Sequence, residues 1–242
     1  MNGFIASLQF ITAIPLGKQR PFDPRAIIIN FPLAGLAIGL ALSLFDLIAS
    51  TLWPPGLASL LDVIFLAAVT GALHLDGLAD AADGLYGQRG REKTLAIMKD
   101  SRVGAMALVA VVCVLLVKMA AVGAINHSRF LALMIVPAYA RSAMIFGMRS
   151  LPYARGDEGT GSRFFDTPLT PMDFKFLAVP VILSLFLGWR GLLLNLSFAA
   201  ATTALIFLYR RKLGGITGDL LGAMTEITEA VLFLALCVGG GR

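Results

Sequence analysis

Apolar runs of 16 to 23 residues recur along this chain, separated by short polar segments. They predict seven membrane-spanning helices, at about residues 27–46, 57–75, 103–125, 130–148, 174–189, 191–209 and 220–238. The fifth is short and interrupted by Pro180, so it is expected to thin the bilayer or to form a tight hairpin with the sixth at Gly188-Trp189-Arg190-Gly191. An earlier apolar stretch, residues 3–16, is too short to cross and predicts an interfacial or re-entrant helix ending at Pro15. The expected fold is therefore an all-α polytopic membrane protein, residues 1–242 forming a single integral-membrane catalytic domain with about seven transmembrane helices and an N-terminal interfacial helix.

Composition agrees with that pattern. Of 242 residues, 57% are hydrophobic and 14% charged, and the mean hydropathy is +0.82. A soluble domain carries about a quarter charged residues. No cleaved signal is evident in Met1–Pro15, which has no basic start and no small-residue cleavage site. Cys113 and Cys237 both fall inside apolar runs and read as small buried hydrophobes, against a disulfide framework or a thiolate metal site. The net charge of +5 does not argue for nucleic acid here, because the basic residues sit in loops beside spans, where orientation and anionic lipid account for them.

Those charges also predict orientation. Lys18, Arg20 and Arg25 precede the first span; Arg89, Arg91, Lys93, Lys99 and Arg102 follow the second; Arg149, Arg155 and Arg163 follow the fourth; Arg210, Arg211 and Lys212 follow the sixth. The intervening connections carry almost none, Arg129 and Arg190 apart, with Arg242 at the far end. The alternation puts the amino end and the basic segments in the cytoplasm and the carboxyl end outside.

Candidate chemistry begins where the 57–75 run ends, in His74-Leu-Asp-Gly-Leu-Ala-Asp-Ala-Ala-Asp-Gly84. At 100° per residue Asp76, Asp80 and Asp83 fall within an arc of roughly 60° on a helix. Like charges on one face repel and need a cationic partner. An oxygen-only donor set suits Mg²⁺ or Mn²⁺ better than zinc. The last span carries Asp219, Glu226 and Glu229, and charges inside a span suggest function by default. Lys99 and Arg102, beside a helix start capped by Asp100 or Ser101, form a candidate phosphate site. Arg141 lies mid-span and needs an acidic partner or a phosphate, while Lys118 reads as a structural partner for a glutamate. His74 is either a hydrogen-bonded structural residue or a base. The Gly-rich, basic loop Tyr153–Gly161 is a weak candidate for a lid over a phosphate-bearing ligand. Metal-binding carboxylates with phosphate-binding cations point to phosphoryl transfer.

The motifs His74-Leu75-Asp76-Gly77-Leu78-Ala79-Asp80-x-x-Asp83-Gly84 and Ile97-Met98-Lys99-Asp100-Ser101-Arg102-Val103-Gly104 closely resemble the adenosylcobinamide-GDP ribazoletransferases, the cobalamin synthase family. Phe31-Pro32-Leu33-x-Gly35, Arg141, Tyr153-Ala154-Arg155, Gly214-Gly215-x-Thr217-Gly218-Asp219 and Glu226-x-x-Glu229 extend the resemblance over nearly the whole chain. Ala81 departs from it where relatives often carry Thr. The resemblance implies an Mg²⁺-dependent enzyme of a bacterial or archaeal cytoplasmic membrane that joins adenosylcobinamide-GDP to α-ribazole or its 5′-phosphate and releases GMP. Combined with the residue pattern, it assigns Asp76, Asp80, Asp83, Asp219 and Glu226 to metal and Asp83, then His74, to the base. Lys99, Ser101, Arg102, Arg141, Arg155, Thr217 and Glu229 are assigned to substrate. The lipid bilayer is an expected partner, nucleic acid is not, and homo-oligomerisation is left open. CDP-alcohol phosphotransferases share membrane-edge aspartates, but their Asp-Gly-x-x-Ala-Arg motif is absent. A cation- or proton-coupled transporter using Glu226 and Glu229 is the non-enzymatic alternative; no internal repeat supports it.

Overall fold

The computed structural model describes residues 2–18, 22–156 and 161–239. Arg20, Arg242 and most of the Gly-rich segment 156–161 lie outside the described residues. Eleven α-helices make up the described chain, with no β-strand among them: α1 Asn2–Ile11, α2 Pro24–Ile29, α3 Phe31–Leu52, α4 Pro55–Val69, α5 Leu73–Leu85, α6 Arg91–Ile97, α7 Ala105–Ala124, α8 Arg129–Ser150, α9 Ala178–Ser184, α10 Trp189–Leu213 and α11 Gly218–Leu236.

Four of these, α3, α7, α8 and α10, are long and apolar enough to cross a membrane, or five crossings if α4 and α5 count as one broken span. Leu44 and Ile48 on α3, Leu108 and Leu116 on α7, and Leu192 and Phe207 on α10 leave their side chains exposed. Apolar helices with apolar outer faces mark a membrane protein. Cys113 is on the exposed side of α7, not buried as expected.

The expected seven spans differ from these helices at three places. The 57–75 run is not one helix: it breaks at Thr70-Gly71-Ala72, where Gly71 (φ 58°) and Ala72 (φ 57°) both take left-handed backbone, and α5 leaves α4 at 90°. The region of the fifth span is a chain of short pieces, 3₁₀ turns at Pro171–Leu177 and Leu185–Leu187 flanking α9. The expected hairpin into α10 is present: a Cβ on Gly191 would lie 1.9 Å from the Ser184 carbonyl oxygen, so only glycine allows this approach. The seventh span corresponds to α11, which carries Asp219, Glu226 and Glu229 and is buried along most of its length. Near the amino end, α1 stops at Ile11 rather than Pro15 and packs on α2, with Gly3 against Ala26 and Asn30.

α11 is the centre of the bundle, with α5, α7, α8 and α10 around it. The other close pair is α3 with α8, where Gly39 sits so near the Met134 carbonyl that an added Cβ would be 2.0 Å from its oxygen. Small residues at a helix crossing let backbones approach where apolar lipid supplies no driving force for association. The same device joins α5 to α11: a Cβ on Gly77 would lie 2.8 Å from the Asp219 carbonyl oxygen.

Candidate active site

Two connections place the site. Residues 152–154 and 214–216 pair through Ile216 N–H to the Pro152 carbonyl (2.9 Å) and Ala154 N–H to the Ile216 carbonyl (2.8 Å). Arg91 Nη2 donates to the Ala154 carbonyl at 2.7 Å and ties α6 to the same strip. The strip delivers Arg155 to the start of α11, where it bridges to Asp219 at 2.6 Å. Thr217 caps α11, accepting from Leu220 N–H at 3.2 Å, and donates to Asp219 at 3.3 Å. Thr217 is fully buried in this role, so it shapes the helix start rather than offering its hydroxyl to a ligand.

Asp76 from α5 and Asp219 from α11 line one cavity of about 490 Å³, together with His74, Tyr153 and Arg155. Asp80 lies beyond the bend, on α5 and outside the four spanning helices. Burial first, and then the charges of Asp219 and Asp76, push its carboxyl up to about 6. Neither Asp76 nor Asp80 accepts a hydrogen bond among the described residues. Asp76 and Asp219 thus line one cavity, and Arg155 is the cation paired with Asp219 there.

Asp83 has a different job. Its two oxygens accept Gly104 N–H at 2.6 Å and Ala107 N–H at 3.0 Å, so it fills the N-terminus of α7 with a carboxylate. This is the place where a helix start would hold an anion. The expected phosphate seat built on that terminus is therefore already taken. Its cap is Gly104, not Asp100 or Ser101. Lys99, Ser101 and Arg102 are exposed on the approach to α7, and Arg102 pairs with Asp100, which holds the Asp100 carboxyl down at about 2.

Glu226, expected in the metal shell, and Glu229 and Arg141, expected against substrate, are inside the bundle. Lys118 Nζ lies 2.5 Å from both Glu226 and Glu229, and Arg141 pairs with the other oxygen of Glu229. All four side chains are almost completely buried. The physical reason is charge balance: two cations on α7 and α8 meet two carboxylates on α11, and a buried charge without a partner is costly. Lys118 plays the structural part foreseen for it. His74, buried beside this cluster, leaves Nδ1 without a hydrogen-bond partner among the described residues.

The sequence reading missed a third buried cluster. Asp46 of α3 and Asp62 of α4 both pair with Arg129 at 2.8 Å. Two aspartates within or at the end of apolar runs, Asp62 and Asp46, were the available signal.

Could the site hold a divalent cation? No group of three His, Cys, Asp or Glu side chains converges on one point among the described residues. A closed three-carboxylate cage is thus excluded there. Mg²⁺ is held by one or two carboxylates plus substrate phosphates and water in many sites, and the unbonded Asp76 and Asp80 fit that arrangement.

The model of the cobalamin-5-phosphate synthase family matches residues 3–237. The chain belongs to this family. Among its relatives, the adenosylcobinamide-GDP ribazoletransferase of Geotalea daltonii is 38% identical, covering 99% of this chain and 98% of that protein. The enzymes of that name from Brevibacillus brevis and Alkaliphilus metalliredigens are each 36% identical, over 98% and 100% of this chain and 98% of their own lengths. No solved structure matches the chain. The family membership expected from the two long motifs holds, and both motifs lie at this site: His74–Gly84 is α5, and Ile97–Gly104 leads into α7.

Proposed function

We propose that this cobalamin synthase family member joins adenosylcobinamide-GDP to α-ribazole or its 5′-phosphate at the cytoplasmic face of a bacterial or archaeal inner membrane. The observation that carries the reading is Asp76 and Asp219, brought by α5 and α11 onto one cavity with Arg155, in a chain matched almost end to end by transferases of that name. The cytoplasmic orientation rests on the basic loops.

A hydroxyl oxygen of the ribazole ribose attacks the phosphorus on the cobinamide side of the diphosphate. The phosphorus–oxygen bond to the guanylate breaks, GMP leaves with its bridging oxygen, and the proton of the attacking hydroxyl passes to water. Asp76 and Asp80 are the residues that would hold Mg²⁺, which would supply charge neutralisation to the diphosphate. Arg155 sits within reach of the same oxygens, its charge already directed at Asp219 by a 2.6 Å contact. Lys99 and Arg102 stand exposed nearby and attract the anionic substrate. Asp83, bound to two backbone N–H groups, serves the reaction by holding the α7 start against α5. His74 lines the same cavity beside Asp76.

The test uses sealed inverted membrane vesicles given adenosylcobinamide-GDP, α-ribazole and Mg²⁺ from outside. Cobalamin and GMP should form in equal amounts, and right-side-out vesicles should form neither. Ligand uptake without GMP would replace the enzyme with a transporter. Turnover only in right-side-out vesicles would reverse the orientation.

A further inference from the structure

The same cavity is far more apolar than a site for two phosphates requires. Phe31, at the start of α3, and Phe164, in a 3₁₀ turn at Ser162–Phe165, are buried at 0% and 6% exposure. Phe10 of α1 and Phe22 of the connection to α2 stand at 43% and 48% exposure and line the same space. The rings form one group: Phe10 and Phe164 have centroids 5.0 Å apart, Phe22 and Phe164 5.3 Å, and Phe10 and Phe31 6.2 Å. Four separated chain segments thus bring phenylalanine side chains to one cavity, next to Asp76, Asp219 and Arg155, with Phe10 and Phe22 the exposed ones.

We propose that this phenylalanine-lined part of the cavity is the subsite for the aromatic base of the ribazole, with its ribose directed toward Asp76. The inference rests on the function proposed above and deepens it. Three observations converge on that occupant. The volume, about 490 Å³, lies in the range of sites that enclose a small molecule, about 300–1,000 Å³, and suits a nucleoside rather than a corrin ring with its side chains. The aromatic faces favour a planar ring system, which stacks on them irrespective of hydrogen-bond pattern. The phenyl walls provide no donors or acceptors. Guanine, with several polar edge atoms, would leave them unpaired there, whereas a benzimidazole attached to ribose has no N–H to satisfy. The same cavity is also lined by the Asp76 and Asp219 carboxylates, Arg155 and His74. These are groups that suit ribose hydroxyls and a diphosphate.

The experiment measures steady-state kinetics of the purified full chain in detergent, varying each substrate in turn. Phe164→Ala should raise KM for α-ribazole by on the order of tenfold, the loss expected for one aromatic stacking partner. KM for adenosylcobinamide-GDP should stay within about twofold, and Phe164→Leu should lie between Phe164→Ala and the wild type. Because a buried ring can also support folding, Phe10→Leu, at the half-exposed mouth, provides a second variant and should show the same one-sided rise at a smaller size. Equal rises in both KM values, or a rise confined to adenosylcobinamide-GDP, would overturn the assignment. Unchanged KM values in both variants would also overturn it and leave the cavity to a lipid chain. Wild-type protein that makes no cobalamin or GMP would instead sink the proposed function, so the two failures are distinguishable.

Discussion

At the start of α11, Asp219 shares a cavity wall with Asp76. About two turns further along the same helix, Glu226 and Glu229 meet Lys118 and Arg141 inside the bundle. The deeper cluster is closed: two carboxylates face two cations, and neither glutamate is left without a partner. The cavity cluster is open. Among the described residues the Asp76 and Asp80 carboxylates accept no hydrogen bond, Arg155 is the compensating charge, and burial, then the charges of Asp219 and Asp76, raises the Asp80 carboxyl. Acidic groups on one helix therefore do different work according to whether their charge is satisfied by the protein. The closed cluster locks α7, α8 and α11 together. The open one has unsatisfied charge that a cation bound with substrate could satisfy.

Breaking the open cluster should give the largest effect. Asp76→Ala and Asp80→Ala should each reduce turnover on the order of a hundredfold or more, the scale for removing a preorganised electrostatic group. Both proteins should remain folded by gel filtration and circular dichroism. Near-normal turnover at limiting Mg²⁺ in either variant would remove that residue from the site.

Breaking the closed cluster should act on stability instead. Glu229→Ala leaves Lys118 and Arg141 short of a partner and should cost about 3–5 kcal/mol, read by thermal unfolding in detergent. If Glu229→Ala unfolds like the wild type yet loses turnover, the cluster belongs to the chemistry after all.

The smallest effect sharpens the contrast. A carboxyl raised from 3.8 to about 6 binds its proton more tightly in the folded protein than in the unfolded one. Its contribution is therefore favourable at low pH and is lost as pH rises from about 4 through about 6. In Mg²⁺-free buffer, Asp80→Asn should raise the unfolding temperature by a few degrees at pH 8 and lose that advantage near pH 4. A variant less stable than wild type at pH 8 would mean that Asp80 is already compensated.

Much of this molecule was legible along the chain. The lengths of the apolar runs predicted α3, α7, α8 and α10, because crossing a bilayer demands a helix with all its backbone hydrogen bonds satisfied internally. The Asp76–Asp80–Asp83 spacing placed the carboxylates on one short helix, and the motifs placed the chain in its family. The bend before α5 was hidden: Thr70-Gly71-Ala72 lies in an apolar run, and only packing of α5 onto α11 reveals why the helix stops there.

Periodicity specifies which residues share a face, so the sequence by itself determined the four long apolar helices, the acidic faces of α5 and α11, and the need for cationic partners. It could not determine which cation meets which carboxylate, because that pairing depends on contacts between helices distant along the chain. Only the tertiary structure decided that Asp83 caps α7 through Gly104 and Ala107, that Arg141 and Lys118 are held by Glu226 and Glu229, and that Arg155 reaches Asp219. What remained, Asp76 and Asp80 beside a cavity walled by phenylalanines from four segments, is a product of packing: each charge has several partners possible in sequence, and geometry leaves these two unpaired.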